Sequence, residues 1–148
     1  MKEVAVIRNF ASLALLLALL MVLPAARADQ GNQATKVTFS QAVQIPGRVL
    51  PAGTYWFILP EDVNEHYQVR VFNADRTMLL ATFFTNSAQR ALATSHGSFT
   101  FAERGSSQAP ALVTWFYPGN TTGHEFLYPK QVEKELAKDK RDTVVAGD

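Results

Sequence analysis

HYQVRVF at residues 66–72, NADR at 73–76 and TMLLATFFT at 77–85 read together as two strands and the turn between them. In the first run Tyr67, Val69 and Val71 are expected to point inward and Gln68 and Arg70 outward, a period of two rather than the 3.6 of a helix. Asn73 to Arg76 has the length and composition of a hairpin connection, and Thr77 to Thr85 returns as the partner strand. The period of two continues upstream. TYWFIL at 54–59 is almost wholly β-branched or aromatic and apolar on both faces. That predicts a central strand covered on both sides, with Trp56 in the core. Pro60 ends it, and Glu61 to Glu65 form an acidic loop. Earlier still, Val37, Phe39 and Val43 fall on one side of a first strand, with Thr38, Ser40 and Gln44 on the other. Ile45-Pro46-Gly47 interrupts that strand. Val49 to Gly53 reads as a turn, because Pro51 fixes φ and Gly53 permits a positive one.

Downstream the pattern weakens and then recovers. Asn86 to Gly97 lacks a clear period, and Ala88 to Ala93 fits one helical turn. SFTFAER at 98–104 alternates again, ALVTWFY at 111–117 has large residues on both faces, and HEFLY at 124–128 is a short last strand. Trp115 is expected in the core, in a strand facing that of Trp56. Pro129 suits the first turn of a helix, which continues to Lys140 with Val132, Leu136 and Ala137 on one side. The tail from Arg141 is expected to fray. The fold class is therefore mainly β: an antiparallel sandwich or small barrel of six to eight strands with one short C-terminal helix.

The N-terminus has the parts of a secretory signal. Lys2 and Arg8 make a basic head, Phe10 to Leu23 is apolar apart from Ser12, and Pro24 breaks any helix. Ala26-Arg27-Ala28 offers the small side chains of a cleavage site. The apolar run is shorter than the ~20 residues of a membrane span. The organisation expected is a signal at 1–28, a flexible leader at 29–35, a β-sandwich at 36–129, and a helix and tail at 130–148. Cleavage leaves 120 of the 148 residues, the size of one domain. It removes three of the 14 basic residues and one of the 13 acidic ones, leaving 11 against 12. A near-neutral domain has no electrostatic pull toward nucleic acid or anionic lipid. The chain has no cysteine, hence no disulfide staple, thiol nucleophile or thiolate metal site.

Candidate chemistry is sparse. The three histidines, His66, His96 and His124, fall in separate segments with no metal-ligand spacing. No Gly-x-Ser-x-Gly turn is present. No catalytic, cofactor or metal residue is assigned. An envelope hydrolase or metal-dependent enzyme with a site near Glu103, His124 and Glu125 is the alternative reading. Binding is the favoured one. Pro118 to Gly123 is a loop shaped by Pro118, Gly119 and Gly123, with Asn120, Thr121 and Thr122 as adaptable polar groups. Tyr117, His124 and Tyr128 stand at its base, each with an apolar body and a polar tip. These six side chains form the candidate binding rim, with an envelope protein or glycan as the expected partner; the alternative is a wide connection that only brings the last strand back to the sheet.

Two stretches carry a resemblance. Leu50-Pro51-Ala52-Gly53-Thr54-Tyr55 resembles the turn-and-strand entry of many exported bacterial β-sandwich proteins. Trp115-Phe116-Tyr117-Pro118-Gly119 with Gly123-His124-Glu125-Phe126-Leu127-Tyr128-Pro129-Lys130 resembles a family of small secreted bacterial β-domain proteins. The resemblance implies export and a β-sandwich, and it carries no functional residue. Export has a direct check. Mass spectrometry of the protein from its host is expected to show Asp29 at the N-terminus, and an intact Met1 in a membrane fraction would contradict it.

Overall fold

The computed structural model describes residues 33–60 and 67–145. The signal, most of the leader, the acidic loop and His66 lie outside the described residues. Within them the chain forms β1 (Ala34–Phe39), β2 (Val43–Ile45), β3 (Arg48–Leu50), β4 (Gly53–Ile58) and β5 (Gln68–Asn73). There follow β6 (Leu79–Gln89), β7 (Ser98–Glu103), β8 (Ala111–Phe116), β9 (Thr122–Phe126), the helix α1 (Lys130–Leu136) and β10 (Lys140–Val145). The fold is mainly β with a single short C-terminal helix, as the pattern of alternation predicts. Among the described residues there are ten strands rather than six to eight, and no helix is long and apolar enough to cross a membrane.

The 11-residue strand β6 organises the sheets. Its first half, Leu79 to Phe84, pairs antiparallel with β5. Its second half, Thr85 to Gln89, pairs antiparallel with β9. One layer is therefore β1-β4-β5-β6 and the other β6-β9-β8-β7-β10, with β6 common to both. The hairpin β2-β3 joins the second layer through a parallel bridge between Gln44 and Ala111. The ends of the first layer and of the second, β1 and β10, each have one strand partner among the described residues.

Three local readings change. Pro46-Gly47 does not merely interrupt a strand; it is the two-residue turn of the β2-β3 hairpin, with Ile45 opposite Arg48 and Gly47 at φ 81°. Proline then glycine is the pair that a type II turn requires. Ala88 and Gln89 extend β6 rather than start a helix, because Gly123 and Thr122 lie opposite and complete the ladder. The tail does not fray at Arg141. Lys140 to Val145 pairs along β7 from Glu103 to Ser98, covering an edge that would otherwise leave backbone groups without partners.

Aromatic rings fill the space between the layers. Phe57 is fully buried, with ring centroids 5.1 Å from Phe99, 6.2 Å from Trp115 and 6.2 Å from Phe126. Trp115 stacks on Phe99 at 6.1 Å with 5° between planes. Its indole N–H crosses the core and donates to Thr35 Oγ1 at 3.1 Å. That bond satisfies two buried polar groups and joins β8 of one layer to β1 of the other.

Trp56 is not in that core. Tyr55 and Phe57 take the inward positions of β4, as does Leu59 just after it, so alternation turns Trp56 outward, where it is half-buried. Its neighbours across the strands are Lys36 and Phe72. The Arg76 guanidinium lies 3.5 Å from its ring centroid and the Lys36 ammonium 5.9 Å away, while its indole N–H donates to Ala74 O at 3.0 Å. An apolar outer face thus marks a ring covered by cationic side chains, not by a third layer. Arg76 stands at φ 60° in the hairpin after β5.

The two tryptophans should separate in urea denaturation. Trp115→Ala leaves a core cavity and an orphaned Thr35 hydroxyl and is expected to cost about 3–5 kcal/mol. Trp56→Ala removes a surface stack and is expected to cost about 1 kcal/mol. Equal losses would refute the assignment of one ring to the core and the other to the surface.

Candidate functional site

The loop from Pro118 to Gly123 joins β8 to β9, and one residue that the sequence did not single out holds it in shape. Arg90 follows the last residue of β6. Its backbone N–H donates to Thr121 O at 2.9 Å. Its side chain donates from Nε to Asn120 O at 2.7 Å and from Nη2 to Tyr117 O at 3.2 Å. Nη1 reaches Thr94 Oγ1 at 2.9 Å and Ser98 Oγ at 3.2 Å. The guanidinium carbon sits 4.8 Å from the Phe116 ring centroid. A planar fork of five donors suits this convergence of acceptors, which a lysine could not reproduce. The Gly119 N–H donates to Thr94 O at 2.8 Å, fastening the tip of the loop from the same side, and Gly119 adopts φ 79°.

The far end of the loop is fixed by packing. A Cβ at Gly123 would stand 2.5 Å from Phe116 Cδ1 and 2.6 Å from Trp115 O. Only glycine lets β9 approach β8 this closely. Thr122 accepts a hydrogen bond at 3.1 Å from Gln89 Nε2 across the strands.

The expected rim is assembled in part. Asn120 is half-buried, and Thr121 and Thr122 are exposed. Tyr117 is half-buried and packs against the core cluster. His124 is half-buried beside Trp115, with ring centroids 5.7 Å apart. Its Nδ1 lies 3.0 Å from Thr85 Oγ1, which is also 3.2 Å from Tyr67 O. One arrangement serves both contacts: the Thr85 hydroxyl donates to the carbonyl, and the His124 Nδ1–H donates to the hydroxyl.

Tyr128 does not belong to the rim. It is buried, with its hydroxyl 2.7 Å from Leu112 O and 3.0 Å from Gln44 O, at the point where the short β2 meets β8. Burial raises its pKa above the ordinary phenol range, against a smaller lowering by the charge of Arg104.

The alternative trio is dispersed. Glu103 ends β7, with Lys140 3.8 Å away, at the Ala111 end of β8. His124 lies opposite Trp115, four residues further along β8, a separation of roughly 13 Å at strand spacing. Glu125 lies opposite Thr114 and Asn86 and is exposed. Among the described residues no three His, Cys, Asp or Glu side chains gather where they could hold a metal ion. Comparison of the chain with protein-family models, with curated proteins and with solved structures gave no match.

Tyr128→Phe provides a test of the buried hydroxyl. Below about pH 9 the variant is expected to be less stable by about 1–2 kcal/mol, from the lost donation of its single hydroxyl proton to the two carbonyls. The folded state holds the phenol proton more tightly than the unfolded state, whose phenol ionises near pH ~10. Wild-type stability therefore falls as pH rises beyond that value, and the gap between wild type and variant narrows. A constant gap in denaturant titrations up to about pH 11 would contradict this.

Proposed function

We propose that the chain is an exported, non-catalytic β-domain that binds a protein or glycan of the cell envelope through the rim of the Pro118 to Gly123 loop. The observation that carries this reading is the use of Arg90. Its side chain spends its donors on Tyr117 O, Asn120 O, Thr94 and Ser98, fixing the shape of one surface loop. A loop already held in one conformation loses little entropy when a partner arrives. A plain connector between two adjacent strands needs no such support. Tyr117, Asn120, Thr121, Thr122 and His124 supply the mixture of aromatic and small polar groups that suits recognition. A hydrolase or metal enzyme at Glu103, His124 and Glu125 would need those side chains in one place, and the sheet keeps Glu103 apart from the other two.

Two variants test the reading. Asn120→Ala with Thr121→Ala alters the rim while leaving its backbone bonds in place. Arg90→Met keeps the apolar stem and removes the fork. In cross-linked pull-downs from the native envelope, both are expected to lose the species that wild type captures. The rim variant is expected to keep its Tm within about 2 °C, as surface substitutions usually do. Undiminished capture by both variants would remove the loop as the binding surface.

A further inference from the structure

We infer a second binding site, for a free basic amino acid, in the groove between helix α1 and the outer face of the second layer. This inference is independent of the loop reading, since it uses none of the same residues. The groove is half open to solvent and has a volume of about 330 Å³. That is the small end of the range for ligand pockets, about 300–1,000 Å³. Its floor is apolar and buried, with Val113 from β8 and Leu136 from α1. Its walls are polar and come from four separate elements: Asn86 of β6, Glu125 of β9, Glu133 of α1 and Arg141 of β10.

The charges are what point to a ligand. Two carboxylates and one guanidinium share this groove, yet none is paired. Among the described residues Glu125, Glu133 and Arg141 make no ion pair within 4.0 Å, although Glu135 on the same helix bonds Arg104 at 2.8 Å. The opposite charges thus line one groove without neutralising each other in direct contact. A molecule filling the groove would meet both. The complementary charges are a carboxylate for Arg141 and ammonium groups for Glu125 and Glu133. With one more negative than positive group in the groove, the matching ligand has two cationic groups, one carboxylate and an aliphatic stem for Val113 and Leu136. A free diamino acid of the lysine or ornithine type has that composition. The C-terminal residue of a basic peptide shares the carboxylate and the side-chain cation but lacks the α-ammonium.

Backbone amide chemical-shift titration of the full mature chain tests this with four probes. L-Lysine carries all three groups. L-Norleucine lacks the ε-ammonium, L-lysinamide lacks the carboxylate, and Nα-acetyl-L-lysine mimics a peptide end. L-Lysine is expected to give saturable shifts at Val113, Glu125 and Leu136, with each of the other three weaker by about twofold to fivefold, the scale of one exposed charge contact. Arg141→Gln is expected to weaken L-lysine to the level of L-lysinamide and to leave L-lysinamide unchanged. Glu133→Gln and Glu125→Gln are expected to weaken L-lysine while leaving L-norleucine less affected. All three side chains are exposed, so the folded state should survive the substitutions. No saturable shift with L-lysine at about 10 mM, enough to load a site with a Kd of about 1 mM, overturns the site. Equal binding of L-norleucine overturns the charge argument. Equal or tighter binding of Nα-acetyl-L-lysine overturns the free amino acid in favour of a peptide terminus.

Discussion

A single strand that belongs to two sheets is the constraint on which this molecule depends. Because Leu79 to Phe84 is bonded to β5 and Thr85 to Gln89 to β9, the two layers are one continuous ladder along one side and cannot slide past each other. Along the other side the link is a side-chain bond, Trp115 to Thr35. Between these two ties Phe57, Phe99, Phe126 and Trp115 pack in edge-on and parallel contacts, each worth about a further 0.5–1.5 kcal/mol beyond area burial. This is how a chain without cysteine fixes the relation of its sheets, where many exported domains would use a covalent bridge.

Much of the fold was legible because strand alternation is a local signal. Val69 and Val71 are buried and Arg70 is not, as the period of two requires. The hairpin at Asn73 is set by short-range chemistry as well: Asp75 accepts from the Thr77 N–H and hydroxyl, and those bonds lower its pKa. Tyr67 does not take the inward position that the alternation predicts: it precedes β5 and is 60 % exposed. What was not legible depends on remote partners. Nothing local says that Ala88 and Gln89 continue a strand, since the reason is Thr122 and Gly123. Nothing local says that Lys140 to Asp142, three charged residues, will pair, since the reason is the edge of β7. Trp56 misled for a different reason. An apolar pattern on both faces cannot distinguish burial under another layer from burial under Arg76 and Lys36.

The same division holds for the candidate sites. The loop and most of its rim could be read from turn residues and flanking aromatics. The role of Arg90 could not, because an isolated arginine at the end of a segment without a period carries no signal until Thr94, Ser98, Tyr117 and Asn120 converge on it. Sequence proximity puts Tyr128 at the rim, whereas its hydroxyl finds Leu112 O and Gln44 O in the interior. The groove beside α1 is wholly a product of topology, since its charged walls come from β9, α1 and β10.

The ends of the two layers bear on how the protein behaves in a crowd of its own copies. β1 and β10 each present one row of backbone donors and acceptors that no described strand takes up. Such rows template the addition of strands from other molecules, and filaments grow from them. Here β1 has Lys36 at its middle, and β10 begins Lys140-Arg141-Asp142. Asp142 lies across from Phe101 and lines the cleft beside Phe39, so it sets a charge on the inward side of the edge. A second molecule docking there would have to strip water from that carboxylate without supplying a partner for it. The short charged segment that ends the sheet is therefore a barrier to self-assembly, and neutralising Asp142 would lower it.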